Sequence, residues 1–281
     1  MRRLAWMGLC AWVLVRAGSP FAATPAPTSA DTGIADYAFA SELGSGVYEI
    51  DGRTIQVYQF RPSYRLRYAE RPSTHPGVQF IFPLTVGFFN FEPQDLVHLD
   101  IPTQIGALSL EPGLELDYWL NEDWHVYPFI KAGATFGSSS AVNAYIFGTG
   151  VRSDVRFSIF DGADLWREEL NYAGVHYRSD LPNDSFTRLR TAAELRQGVF
   201  SAPFQDRRLE VGVYGIGDIY INAPTGPASG ISARTLQFET GLMFGMNPMY
   251  QFKGIPLPRL GIGYRDAGVL SGWRLVIGEP F

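Results

Sequence analysis

Apolar and polar residues alternate at strict twos along much of the chain. Between Leu108 and Leu120 the even positions are Leu108, Leu110, Pro112, Leu114, Leu116, Tyr118 and Leu120, and they oppose Ser109, Glu111, Gly113, Glu115, Asp117 and Trp119. Successive side chains of a strand point to opposite faces, so this spacing predicts a strand with one apolar and one polar face. A helix would spread the same charges over an arc. From Leu189 to Val199, Leu189, Ala193, Leu195 and Val199 oppose Arg188, Arg190, Glu194 and Arg196. Leu209, Val211, Val213, Ile219 and Ile221 then oppose Glu210, Tyr214, Asp218 and Asn222, and Leu236, Phe238, Leu242, Phe244 and Met246 oppose Thr235, Gln237 and Glu239. The last stretch places Trp273, Leu275, Ile277 and Phe281 on one apolar face, which Glu279 interrupts, and Pro280 removes a ladder donor near the end.

Extended over the chain, the pattern predicts about twelve strands: 44–50, 53–68, 77–91, 106–120, 123–136, 141–159, 163–178, 186–200, 207–222, 232–246, 249–265 and 270–281. Turn chemistry separates several of them, at Asp51-Gly52, Asn121-Glu122-Asp123, Asp161-Gly162 and Asn247-Pro248. Pro62 is expected to bend the second strand, and Val97 to Ile105 could pair as a further short one. No long internal repeat or second domain is evident.

The amino-terminal end reads differently. Arg2 and Arg3 precede an apolar stretch from Leu4 to Val15, followed by Arg16 and a small-residue and proline segment, Ala17 to Pro27. This fits a secretory signal peptide over residues 1–23, with cleavage expected between Ala22 and Ala26. The apolar stretch is shorter than the ~20 residues of a transmembrane helix. Cys10 is the sole cysteine and lies within it, so the mature chain is expected to carry no thiol, no disulfide and no Cys-ligated metal. Residues 24–44 form a leader with a short helical pattern through Ile34, Tyr37, Ala38 and Leu43. Two readings fit it: a segment of little order, or a plug inside the folded domain of residues 45–281.

Composition narrows the class. Removing three of the 23 basic residues with the signal leaves 20 against 28 acidic ones, moving the formal charge from −5 to −8. An acidic chain argues against nucleic acid as a partner. Beyond the signal no helical apolar span is evident, whereas Ile81 to Phe89 has the length of a membrane strand. An exported, strand-rich chain of this kind points to an all-β, antiparallel up-and-down transmembrane barrel. Only closure satisfies every backbone N–H and C=O in lipid.

Pro112 to Asp117 (PGLELD), Trp124 to Gly137 (WHVYPFIKAGATFG) and Leu260 to Phe281 (LGIGYRDAGVLSGWRLVIGEPF) resemble the solitary outer-membrane autotransporter-like barrels, in which the barrel stands without a secreted passenger. The resemblance implies a twelve-stranded barrel in the Gram-negative outer membrane, as in translocators that hold a helix in the lumen. It also implies that Trp273, Leu275, Ile277 and Phe281 are the signal read by the barrel-assembly machinery. Expected partners are outer-membrane lipids and lipopolysaccharide, with the assembly machinery and periplasmic chaperones during biogenesis, and the expected state is a monomer. About twenty residues between cleavage and the first strand leave no room for a passenger.

Inward-facing charges are the local clue to mechanism. Arg61, Arg65 and Arg67 are expected to share one face of an early strand, Glu115 and Asp117 that of a later one, and Arg188, Arg190, Glu194 and Arg196 that of another. The following strands offer Glu210 and Asp218, then Glu239, then Lys253, Arg259, Arg265 and Arg274. Basic, acidic and basic strands in succession predict cross-strand pairing. Two readings follow: a self-neutralising core, or an eyelet whose arginines favour anions. His176 and Ser179 in VHYRSD raise the alternative of a lipid-modifying barrel enzyme, but three-residue spacing puts them on opposite strand faces. An open small-solute porin is a further alternative. His75, His98 and His125 show no metal-ligand spacing, no phosphate-cradling motif occurs, and no cofactor is implied. Tyr58, Tyr64, Tyr68, Phe80, Phe82, Phe88, Tyr118, Tyr250, Phe252 and Tyr264 are expected in girdles at the membrane interfaces. The expected function is that of a non-enzymatic barrel, either a narrow or plugged channel or a structural surface protein.

Overall fold

The computed structural model describes residues 44–50, 53–69, 75–89, 105–137, 143–159, 162–178, 183–201, 207–221, 235–249, 251–252, 255–267 and 270–281. The signal stretch, Cys10, the leader apart from Gly44, and Lys253 lie outside them. The strands are β1 (Gly46–Ile50), β2 (Arg53–Phe60), β3 (Ser63–Arg67), β4 (Gly77–Ile81), β5 (Leu84–Phe89), β6 (Ile105–Leu110), β7 (Gly113–Trp119), β8 (Trp124–Gly137) and β9 (Ala144–Phe157). They continue as β10 (Asp164–Tyr177), β11 (Asp184–Ser201), β12 (Arg208–Ile221), β13 (Leu236–Asn247), β14 (Gln251–Phe252), β15 (Ile255–Pro256), β16 (Leu260–Ala267) and β17 (Leu270–Ile277). Among the described residues there is no helix.

The fold is an all-β, antiparallel up-and-down sheet. Its order is β3-β4-β7-β8-β6-β5-β2-β1-β17-β16-β13-β12-β11-β10-β9, with β8 also paired to β9, while β14 and β15 form a separate two-stranded piece. Three of the predicted long strands are broken, and each break is at a proline. Pro62 separates β2 from β3, Pro83 separates β4 from β5, and Pro112 separates β6 from β7. Proline cannot donate to a ladder, yet its carbonyl still accepts. Phe82 N–H donates to Pro62 O at 2.9 Å, Glu111 N–H to Pro83 O at 2.9 Å, and Ala132 N–H to Pro112 O at 3.0 Å. The three breaks therefore fall on one transverse line, and β8 runs through it unbroken, pairing with β7 on one side of the line and β6 on the other.

The predicted strand 249–265 is a second correction. Only β16 joins the main sheet there, because Pro256 and Pro258 interrupt the donors before Leu260. The Asn121–Asp123 turn stands as expected, with Leu120 N–H and Trp124 O at 2.9 Å and Asp123 N–H donating to the Asn121 side chain at 2.9 Å.

One face of the sheet is buried and polar, the other exposed and apolar. Strand β16 alternates without a break between exposed and buried positions. Asp218 and Arg265 are each 1% exposed, whereas Val213, Phe238 and Ile262 are 53%, 58% and 49% exposed. This inverts the usual soluble arrangement, in which charged residues are almost never fully buried without a partner. Expected girdle residues Tyr64, Tyr68, Phe80, Phe82, Tyr118 and Tyr264 are exposed, and Tyr58 is half-buried. Small apolar groups share the buried face at one end, where Ile146 and Val175 pack with Tyr177, and Phe186 packs with Tyr220.

Close approach of a tyrosine fixes part of the register. Tyr214 pairs with Gly241, Gly241 with Gly263, and Gly263 with Arg274. The Tyr214 ring lies over these glycines and its hydroxyl donates to Glu239 Oε1 at 2.9 Å. A Cβ on Gly263 would meet the Tyr214 hydroxyl at 1.9 Å. Gly263→Ala is expected to destabilise the folded protein by about 1–3 kcal/mol through overpacking. Tyr214→Phe should relieve part of that loss, so urea unfolding of the two single variants and the double variant should show non-additivity. Additive losses would mean that ring and glycine are not in contact.

Candidate functional site: the charged inner face

The buried polar face is organised in register lines that cross the strands. One line runs Tyr127, Arg152, Glu169, Arg190, Asp218 and Gln237 from β8 to β13, each residue directly opposite the next. Another runs His125, Asp154, Arg167, Ala192, Ile216, Glu239 and Arg265. Opposite charges alternate across neighbouring strands from Arg152 to Asp218 in the first line, and at both ends of the second, where Ala192 and Ile216 interrupt them; such pairing stabilises a ladder.

Asp218 is the centre of the first line. Arg190 grips it through Nε at 2.7 Å and Nη2 at 2.9 Å, and Arg265 Nη2 reaches its Oδ2 at 2.6 Å. Arg188 Nε stands 3.9 Å away, with its Nη2 on Glu169 at 2.6 Å. Glu239 is a second centre, accepting from Arg274 Nη1 at 2.8 Å and facing Arg265 Nη1 at 3.6 Å. Glu194, fully buried, accepts from Arg196 at 2.7 Å and from Arg259, whose Nε lies 4.0 Å from Glu210. Glu115 receives Gln79 at 2.6 Å and Arg152 at 3.0 Å, and Asp117 pairs with His125 at 3.1 Å. Of the charges expected to meet, Arg188, Arg190, Asp218, Glu239, Arg265 and Arg274 form one group, and Glu194, Arg196, Glu210 and Arg259 form another.

The early arginines behave differently. Arg61, Arg65 and Arg67 are exposed, and a register shift between Arg65 and Arg67 breaks the alternation that would hold them on one face. Arg61 Nε donates to Gln59 at 3.1 Å, and Arg67 Nε to the Pro76 carbonyl at 3.0 Å.

Phe281 is the main correction. Trp273, Leu275 and Ile277 are exposed together, whereas Phe281 is only 6% exposed and packs among Leu165, Tyr214, Met243 and Val276. Gly278, at φ 96°, turns the chain off the exposed face, a conformation glycine adopts without steric cost. Glu279 then reaches Arg196 at 2.7 Å, the Phe281 main-chain oxygen accepts from Arg167 Nη1, and the Arg167 guanidinium lies 5.2 Å from the Phe281 ring centroid.

Several inner-face groups escape a reading confined to the most regular stretches. Arg152, Asp154, Arg167 and Glu169 lie on β9 and β10, where the same period of two is present in the sequence. Arg167 grips Asp154 through Nε at 2.6 Å and Nη2 at 2.7 Å. The signal there was the alternation of Arg152 with Asp154 and of Arg167 with Glu169. His176 is exposed on β10, while Ser179 and Asp180 lie outside the described residues.

Two adjoining cavities lie against this face. One, of about 190 Å³, is lined by Gln79, Glu115, Phe129, Lys131, Glu169 and Asn171 among others. The second, of about 460 Å³, is bounded by Arg61, Arg152, Arg167, Arg190, Arg274 and Glu279, with Phe281 in its wall.

Asp218→Ala leaves buried guanidiniums without their shared carboxylate, and is expected to cost about 3–5 kcal/mol. Replacing Arg190 as well should cost less than the two single losses combined. Urea midpoints of the four proteins check this, and a loss below about 1 kcal/mol for Asp218→Ala would remove it from the centre of the network.

Comparison with protein-family models and with curated proteins finds no match to this chain, so the functional reading rests on its own residues.

Proposed function

We propose that this chain is an exported integral outer-membrane protein whose sheet closes into a twelve-stranded barrel. In this reading it is a non-enzymatic, narrow channel of autotransporter-like architecture without a passenger. The observation that carries the proposal is the coincidence of an inverted polarity with a continuous circuit of pairings. Counting β2 with β3, β4 with β5 and β6 with β7 as single strands bent at their prolines, pairing passes from β1 through each successive strand to β17. It returns from β17 to β1. An even count and closure of the sheet are what lipid demands of strands, and these pairings support that reading.

Dimensions support the same reading. A strand of 14 residues such as β8 is about 46 Å long at ~3.3 Å per residue, and rises about 35 Å at a tilt near ~40°. That exceeds the ~25 Å apolar band of an outer-membrane barrel. Leu242, Phe244, Leu260, Ile262, Trp273 and Leu275 would face acyl chains, and the ion pairs would fill the lumen. Arg196, Arg259 and Glu279 with the Phe281 segment narrow it further.

Two measurements test the proposal. The protein should fractionate with the outer membrane and migrate faster on a gel unboiled than boiled, whereas a soluble protein with unchanged mobility would refute the barrel. In planar bilayers the purified protein should give conductance well below that of an open porin, with an increase on removal of residues 24–44 if the leader occupies the lumen. Large, stable conductance of the intact protein would refute the narrow channel.

A further inference from the structure

We infer that the 460 Å³ cavity is a binding chamber for a small solute bearing an oxyanion, a carboxylate or a phosphate. The inference rests on the barrel reading above for the route by which solute arrives, but the chamber is defined by its own walls. Five arginines, Arg61, Arg152, Arg167, Arg190 and Arg274, line it with Glu279 as the one carboxylate side chain and the Phe281 main-chain carboxylate beside it. The side-chain carboxylates that hold three of these arginines are not in its lining. Asp154 holds Arg167, Asp218 holds Arg190, and Glu239 holds Arg274. The side-chain carboxylates paired with Arg167, Arg190 and Arg274 therefore stand behind the wall, and arginines outnumber the carboxylates in it.

This layering sets donors in place before any ligand enters. A guanidinium is always charged and offers five N–H donors in a rigid fork that matches carboxylate and phosphate oxygens. Arg167 and Arg190 each spend Nε and Nη2 on the carboxylate behind, which leaves Nη1 for another acceptor. In Arg167 that acceptor is an oxygen of the Phe281 main-chain carboxylate, so a carboxylate already occupies one donor as a solute carboxylate would. The Arg152 guanidinium is held against the Tyr127 ring at 4.6 Å and by Glu115 at 2.9 Å. Ligand pockets run from about 300 to 1,000 Å³, and this chamber falls within that range.

Equilibrium dialysis of the folded, detergent-solubilised full chain against labelled inorganic phosphate and labelled citrate tests this without requiring conduction. Saturable binding of at least one probe is expected, weakening as sodium chloride rises. Arg61→Gln, an exposed position outside any strand, and Arg152→Gln should each weaken it about tenfold or more, with unboiled gel mobility confirming the fold. Arg178→Gln, outside the chamber, should leave binding unchanged. Preference for phosphate or for citrate assigns the headgroup. Saturable, arginine-dependent binding in a protein that gives no conductance would uphold the chamber and remove the channel. Conduction without saturable binding, or binding indifferent to both Arg61 and Arg152, would overturn the chamber.

Discussion

Charges on the buried face are held mostly by counter-charges on other strands, and this requirement ties register to electrostatics across much of the sheet. Arg190 lies opposite Asp218, and Asp154 opposite Arg167, so a slip of one residue would turn both pairs to the exposed side and bring leucines and valines inward. The cost of such a slip is large because an ion buried without its partner loses several kcal/mol of solvation. Diagonal contacts reinforce the direct ones: Arg188 reaches back to Glu169, and Arg265 across β13 to Asp218. The network therefore selects one register from many that backbone hydrogen bonding alone would accept.

Packing follows from the same inversion. With the large apolar side chains directed outward, the inner face has few of them to fill its volume, and Tyr214 supplies bulk where Gly241 and Gly263 leave room. The ring covers two neighbouring strands while its hydroxyl joins Glu239, so one residue serves both packing and the ion-pair network. The prolines at 62, 83 and 112 act on the backbone instead. Aligned on one line, they break three adjacent strands at a common level, and their carbonyls keep the hydrogen bonding continuous from strand to strand.

The segment after β17 links the network to the proposed lumen. Gly278 redirects the chain, Glu279 joins Arg196, and Phe281 lies beneath Arg167. An apolar pattern continued by spacing alone puts Phe281 beside Ile277, on the exposed face. The turn removes it, because a strand's alternation holds only while its backbone stays extended. In the proposed barrel the exposed Trp273, Leu275 and Ile277 remain the part of this strand available to lipid, and the buried Phe281 narrows the interior.

Period-two alternation in the sequence was enough to determine the all-β class, the approximate positions of the long strands and the face each charged residue takes on β11, β12, β13 and β16. Those properties are local: a side chain's face depends on its parity within an extended segment. Of the proline breaks, the sequence marked only the bend at Pro62; those at Pro83 and Pro112 emerged with the strand pairing. Which charges meet was decided by the tertiary structure. Spacing puts Arg190 and Asp218 on inward faces but leaves open that Asp218 is shared with Arg265, 47 positions away in sequence. The register shift that separates Arg65 from Arg67, the turn of Phe281 into the buried face, and the placing of Asp154, Asp218 and Glu239 behind a wall of arginines are likewise tertiary. Each depends on how neighbouring strands are set against one another, and parity along a single strand carries no information about that.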